Sequence, residues 1–199
     1  LITTIAIGCS EDFLDRQPLD REVTSTFYET EEQAFEALVA VYDVLGYQSL
    51  VAWAPIGTTS DILSDDAYAG GGDANDGFDE DQLNNFDIPT THAMSHGLWQ
   101  KNYIGIYRAN LFLEIIDGID ASDAFKARTI AEAKFLRAYF YFEQVRFFEN
   151  IPLLTETIKG PSEYSQEQNT PKEVYDQIAL DLVEAIADLP TTLPLDELG

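Results

Sequence analysis

The stretch AEAKFLRAYFYFEQVRFFENIPLLTE, residues 131–156, decides the fold. Phe135, Tyr139, Phe140, Tyr141, Phe142, Phe147 and Phe148 crowd into it, and Phe125 precedes it. At about 100° per residue, Phe135, Tyr139 and Phe142 fall on one side of a helix. Phe140 and Phe147 fall on a second side, and Tyr141 and Phe148 on a third. A helix apolar on three sides has to be covered on three sides, so it belongs at the centre of a bundle. Ser122 is a suitable N-cap, which predicts a helix from about Asp123 to Glu149. Arg146 lies within the first stripe and is expected to reach a buried carboxylate.

Three further segments have helical periodicity, and none shows a sustained alternation of period two. Glu31–Leu45 follows a capping box of Thr30 and Gln33, with Phe35, Leu38, Tyr42 and Leu45 as its stripe and Gly46 as its stop. A second segment runs from about His92 to Ile116, with Leu98, Tyr103, Ile106, Ala109, Leu113 and Ile116 on its apolar side and Gly118 after it. A last one covers Lys172–Leu189, with Thr170 as cap, Pro171 in the first turn and Glu173 closing a second capping box. Its stripe is Val174, Ile178, Leu182, Ala185 and Leu189. The fold class is therefore mainly α. Ala131, Phe135 and Ala138 fit part of a tetratricopeptide-like repeat, which predicts antiparallel helix pairs.

Composition narrows the function. The chain has 199 residues, 11 bases against 36 acids, a net charge of −25 and one cysteine. That length makes one domain or two small ones, able to bury a core without disulfides. Nucleic-acid binding without sequence preference needs clustered Lys and Arg, and a basic membrane-surface helix needs the same, so both are excluded. The charge is also uneven. No Lys or Arg occurs between Glu22 and Gln100, while fifteen acids do. Such a stretch sets up a negative surface field.

Residues 1–8 (LITTIAIG) are apolar and uncharged, too short to span a bilayer, and Cys9 follows Ala6-Ile7-Gly8. Small residues before a lone cysteine read as the end of a lipoprotein signal peptide, with lipid on Cys9. The other reading is a buried strand with a chance cysteine. Residues 9–30 then form a polar, extended lead.

Taken together these pieces resemble the SusD/RagB family of outer-membrane nutrient-binding lipoproteins. The match is carried by Cys9 followed by Asp12-Phe13-Leu14-Asp15 and Pro18, and by Phe27-Tyr28 with Thr30-Glu31 leading into a helix that ends Ala40-Val41-Tyr42. Ser64–Gly71 (SDDAYAGG), Tyr107-Arg108-Ala109-Asn110 and, most specifically, the 131–156 stretch complete it. The resemblance implies a SusD-like helical domain over 31–199, matching only the N-terminal part of the family, so the chain is expected to be truncated. It also implies a surface-exposed, lipid-anchored outer-membrane protein. Such a protein captures an oligosaccharide or polysaccharide and delivers it to a SusC-type TonB-dependent transporter. It is a binding protein, not an enzyme. The alternatives are a peptide-capturing RagB-like lipoprotein and a helical-repeat scaffold for a protein partner.

The ligand is expected on the long stretch Gln48–Pro89, which lacks strong periodicity. A loop longer than about 15 residues in a compact domain is usually functional. Aromatic faces meet the C–H surfaces of sugars and short polar side chains take their hydroxyls. Trp53, Tyr68 and Phe78 with Asp65, Asp66, Asp73, Asn75 and Asp76 supply that chemistry. For Trp53 the competing role is core, and for Asp65 and Asp66 it is capping of the local backbone. Calcium is a further possibility for Asp73, Asp76, Asp79, Glu80 and Asp81. However, Gly77 falls one place early for an EF-hand loop and no glutamate closes it, so plain hydrated acids are the expectation. His92 and His96 have metal-clamp spacing but no third ligand, so no metal and no cofactor is expected. The sequence has no G-x-S-x-G, H-E-x-x-H or phosphate loop, and the adjacent Asp65 and Asp66 do not make a glycosidase pair.

Overall fold

A computed structural model of the chain describes residues 28–47, 56–73 and 75–192. Six α-helices appear among them: α1 (Glu31–Asp43), α2 (Ile56–Leu63), α3 (Phe78–Asn84), α4 (Ala93–Ile115), α5 (Asp123–Phe148) and α6 (Pro171–Ile186). Short 3-10 turns occupy Val44–Gly46, Ile116–Gly118 and Pro161–Glu163. No strand occurs among the described residues; two isolated bridges, Thr30 with Asp120 and Ile151 with Asn169, tie loops together. None of these helices is long and apolar enough to cross a membrane.

The helices begin where side chains can satisfy their free N–H groups. Thr30 accepts from the Gln33 amide and Gln33 returns the bond to the Thr30 amide. Thr170 and Glu173 form the same reciprocal pair ahead of α6, and Ser122 caps α5. The last helix stops at Ile186 rather than at Leu189.

The central helix is α5. It lies against α4 on one side and α6 on another, and α1 crosses both α4 and α5. Phe140, Tyr141, Leu136, Ala133 and Val145 of α5 are buried, and with Ala109, Ile106 and Phe112 of α4 and Ala34, Leu38 and Val41 of α1 they make the main core. Gly105 of α4 faces the Phe140 ring so closely that a Cβ there would lie 2.4 Å from Cε2. Two of the three expected apolar sides of α5 are covered. The third is not: Phe135 is 46% exposed and Phe142 39%. The expected stripe of α1 is also shifted. Ala34, Leu38, Val41 and Val44 are buried, whereas Phe35, Tyr42 and Leu45 are exposed. On α6, Leu182 faces out and Asp181 in.

Polar side chains from α4 and α5 hold the extended segment that leaves α5. The Tyr141 hydroxyl donates to the Leu154 carbonyl (2.7 Å) and accepts from the Leu154 amide (2.6 Å). Tyr103 donates to the Pro152 carbonyl, and the Asn110 amide to the Leu154 and Glu156 carbonyls. Arg137 is buried and grips Asp181 of α6 through Nε (2.8 Å) and Nη2 (2.6 Å). Its Nη1 donates to Asn110 and to the Thr155 carbonyl. Glu114 accepts from the Thr157 amide and hydroxyl and from Lys159. Arg146 reaches a mostly buried carboxylate as expected, that of Glu143 one turn earlier on α5, and stacks over the Phe142 ring.

Candidate functional site

The stretch expected to be one irregular loop contains two short helices, α2 and α3, packed against each other. At eight and seven residues they span about two turns each, too few for a periodic pattern to stand out. They still form a small core of their own. Ile62 of α2 and Leu83 of α3 meet Met94 and Leu98 of α4, and Phe147 and Phe148 of α5 pack against this group. The far end of the aromatic helix therefore carries the lobe on which the candidate residues sit.

His92 joins the lobe to the body. It is buried at the N-cap of α4, where Nδ1 accepts from the Ser95 amide at 3.3 Å. Its Nε2 lies 3.0 Å from the Asp79 carbonyl on α3. An accepting Nδ1 requires the proton on Nε2, so the ring donates to α3 while capping α4. Both nitrogens are thus used by protein groups. His92 and His96 do not form a metal clamp, and no group of three or more His, Cys, Asp or Glu able to hold an ion occurs among the described residues.

The candidate residues fall into two turns joined on this lobe. At the exit of α2, Asp65 takes a left-handed conformation (φ 62°), which a short polar side chain tolerates. The Asp66 and Ala67 amides both donate to the Asp61 carbonyl at 3.1 Å, and the Ser64 hydroxyl donates to Asp66 Oδ2. Before α3, Asp76 Oδ2 accepts from the Gly72 amide and Asp73 Oδ1 from the Asn75 amide, each at 2.8 Å. Gly71 sits so close to the Asp76 carbonyl that a Cβ would lie 2.3 Å from its oxygen. The Ala69 amide donates to Asn84 of α3 and fixes the first turn to the second. Asp73 and Asp76 thus act on local backbone, while the Asp66 carboxylate takes the Ser64 hydroxyl.

The aromatic residues do the opposite. Tyr68 is 80% exposed and Phe78 58%. Phe86, at the end of α3 with φ 54°, adds a third ring at 62%. Phe86 escaped the sequence reading because it follows the Gly-rich turn by a whole helix; its neighbours Asn84, Asn85 and Asp87 were the available turn signal. Trp53 and Cys9 lie outside the described residues. The lobe is a backbone-locked platform that shows flat rings and carboxylates to solvent.

The arrangement has relatives. A family model described as SusD-like, starch-binding and associating with the outer membrane matches residues 12–195. The chain belongs to the SusD-like family. SusD-like protein P2 of Formosa agariphila is 29% identical over 188 residues, covering 94% of this chain and 36% of that protein. Among solved structures, a laminarin-binding SusD-like protein superposes with a TM-score of 0.75 at 38% identity, covering 86% of this chain and 37% of the other. Surface glycan-binding protein A from Bacteroides thetaiotaomicron, in complex with laminarihexaose, gives 0.74 at 30% identity, covering 85% and 35%. The chain spans about a third of the length of these relatives. The family is described by starch binding and not by a reaction, in keeping with the expectation of a binding protein rather than an enzyme, and it is associated with the outer membrane.

Proposed function

We propose that this SusD-like chain takes part in capturing an oligosaccharide or polysaccharide at the cell surface and passing it to a SusC-type TonB-dependent transporter, anchored in the outer membrane by lipid on Cys9. The observation that carries the glycan reading is the pair of exposed rings, Tyr68 and Phe78, on turns whose backbone is tied by Asn84, Asp73 and Asp76. Aromatic side chains left in water cost free energy, about 25 cal/mol per Å² of apolar surface, unless a partner covers them. A sugar's C–H face is such a partner, and a preformed platform loses little entropy on binding it. The laminarin-related names of two solved relatives support the same class of ligand.

Affinity electrophoresis of the full chain through gels containing laminarin, starch, xyloglucan or galactomannan tests the reading. At least one should retard the protein, and Tyr68→Ala and Phe78→Ala should each weaken that retardation about fivefold to tenfold without moving the melting temperature. This follows from about 1–1.5 kcal/mol per exposed ring contact. Retardation unchanged in both variants would remove the platform from the site. Globomycin-sensitive palmitate labelling tests Cys9, and co-purification of a large outer-membrane barrel tests the transporter. A second reading, the protein-interaction scaffold, draws on one feature: Val183 and Ile186 on α6 are largely exposed.

A further inference from the structure

The charge on the lobe bears on which glycans it admits, an inference that rests on the capture reading above. Between residues 61 and 87 the chain carries nine acids and no base. Each of the exposed rings Tyr68, Phe78 and Phe86 lies within two positions of a carboxylate. Asp76 and Asp73 accept from the Gly72 and Asn75 amides, so two of these carboxylates are held within the turn that carries Phe78.

The basic residues supply the second observation. Uronate and sulfate groups are recognised by Arg and Lys, most strongly in bidentate or charge-assisted pairs. Nine Lys and Arg lie beyond Gln100, and every one is already engaged. Seven form ion pairs with acids of the same body. The other two, Lys101 and Lys126, donate to the carbonyls of Leu45 and Asp117. The buried His92 has both nitrogens committed.

We infer that this lobe selects uncharged glycans and rejects polysaccharides bearing uronate or sulfate, because each of its exposed rings has a carboxylate within two positions and no Lys or Arg occurs between residues 61 and 87 to receive an anion. Repulsion at an exposed site decays over a Debye length, about 8 Å at physiological salt. The rejection is therefore strong at low ionic strength and fades as salt is added.

The test is affinity electrophoresis of the full chain at pH 8 with EDTA. Neutral gels (laminarin, starch, xyloglucan, galactomannan) are set against alginate and carrageenan, each at low and high salt. The expected result is retardation in at least one neutral gel and at least about tenfold weaker retardation in both anionic gels at low salt, the contrast shrinking at high salt. Asp81→Lys/Asp87→Lys alters two exposed acids whose side chains are not among the candidate contacts. It should keep neutral retardation and gain retardation in alginate. Asp81→Asn/Asp87→Asn should move partway in the same direction, and circular dichroism confirms that both variants fold. Alginate or carrageenan retarding the unaltered protein as strongly as the neutral glycans overturns the inference. So does anionic retardation that appears only when calcium replaces EDTA, since the carboxylates would then be bridging sites. If no gel retards the protein, the capture reading itself has failed and takes this inference with it.

Discussion

Gly105→Ala is the sharpest probe of how the lobe is carried. Alanine is the better helix former, and at an exposed position in a helix the change stabilises by about 1 kcal/mol. Here the new methyl would lie 2.4, 2.5 and 2.6 Å from Cε2, Cδ2 and Cζ of Phe140, a ring with no exposure. Ordinary carbon contacts are about 3.5–4.0 Å, so helix or ring has to give way by about 1 Å. The ring cannot swing to solvent, because it sits between α4 and α5 and meets Tyr139 edge-on at 5.6 Å between centroids. Overpacking of this kind costs about 1–3 kcal/mol. Set against the helix-forming gain, a net loss of up to about 2 kcal/mol remains, which lowers the melting temperature of a chain this size by up to about 8 °C.

The assay is thermal and urea unfolding by circular dichroism of Gly105→Ala, Phe140→Leu and the double variant. Phe140→Leu alone loses packing and leaves a cavity. In the double variant the new methyl enters space that the ring has vacated, so the pair should cost less than the sum of the singles by at least about 0.5 kcal/mol. A rise in melting temperature for Gly105→Ala, or strict additivity in the cycle, would refute the close approach of α4 and α5 at this point.

Two further outcomes follow from the polar contacts beneath the exit segment. Asp181→Ala strands the buried Arg137 guanidinium and should cost about 3–5 kcal/mol, whereas Arg137→Met/Asp181→Leu, which removes both charges, should cost far less in the same urea titration. Partial burial raises the Glu114 pKa, but the Lys159 bond and charge and the two Thr157 bonds outweigh it and hold the carboxyl below its ordinary range. A depressed folded value means that its stabilisation is complete above the ordinary glutamate pKa of about 4.3 and is lost as pH falls through that range toward the lower folded value. Glu114→Gln should therefore be less stable than the parent at neutral pH and show a shallower loss of stability on acidification, read as melting temperature against pH.

The elements that could be read from sequence are those whose signal is local. Thr30 with Gln33 and Thr170 with Glu173 each act over three residues, and both boxes are formed. The density of rings in α5 gave its central place directly. The α1 stripe went astray because Phe35 and Tyr42 outweigh Ala34 in any reading by size. Packing instead chose the small residue, which lets α1 approach the α4–α5 pair. The helices of the lobe were hidden by their length, and their two buried anchors, Ile62 and Leu83, are partners across 21 positions. Arg137 with Asp181, at a separation of 44, carries no local signature at all. Arg146, the arginine that periodicity singled out, pairs within its own helix instead.

The same reasoning separates scaffold from contact on the lobe. A carboxylate in a turn has two uses for its lone pairs, backbone N–H groups or a ligand hydroxyl, and the first is always present while the second is not. Asp73 and Asp76 have taken the first, and Gly71 allows the backbone to close around them. Under the proposed capture role they would hold the turn before Phe78 in shape ahead of a ligand, as Asn84 would the turn of Tyr68, which lowers the entropy lost on binding. On this proposal the aromatic residues set the affinity, the fixed acids set the shape, and the acidic stretch from 61 to 87, which has no base, sets which glycans can approach.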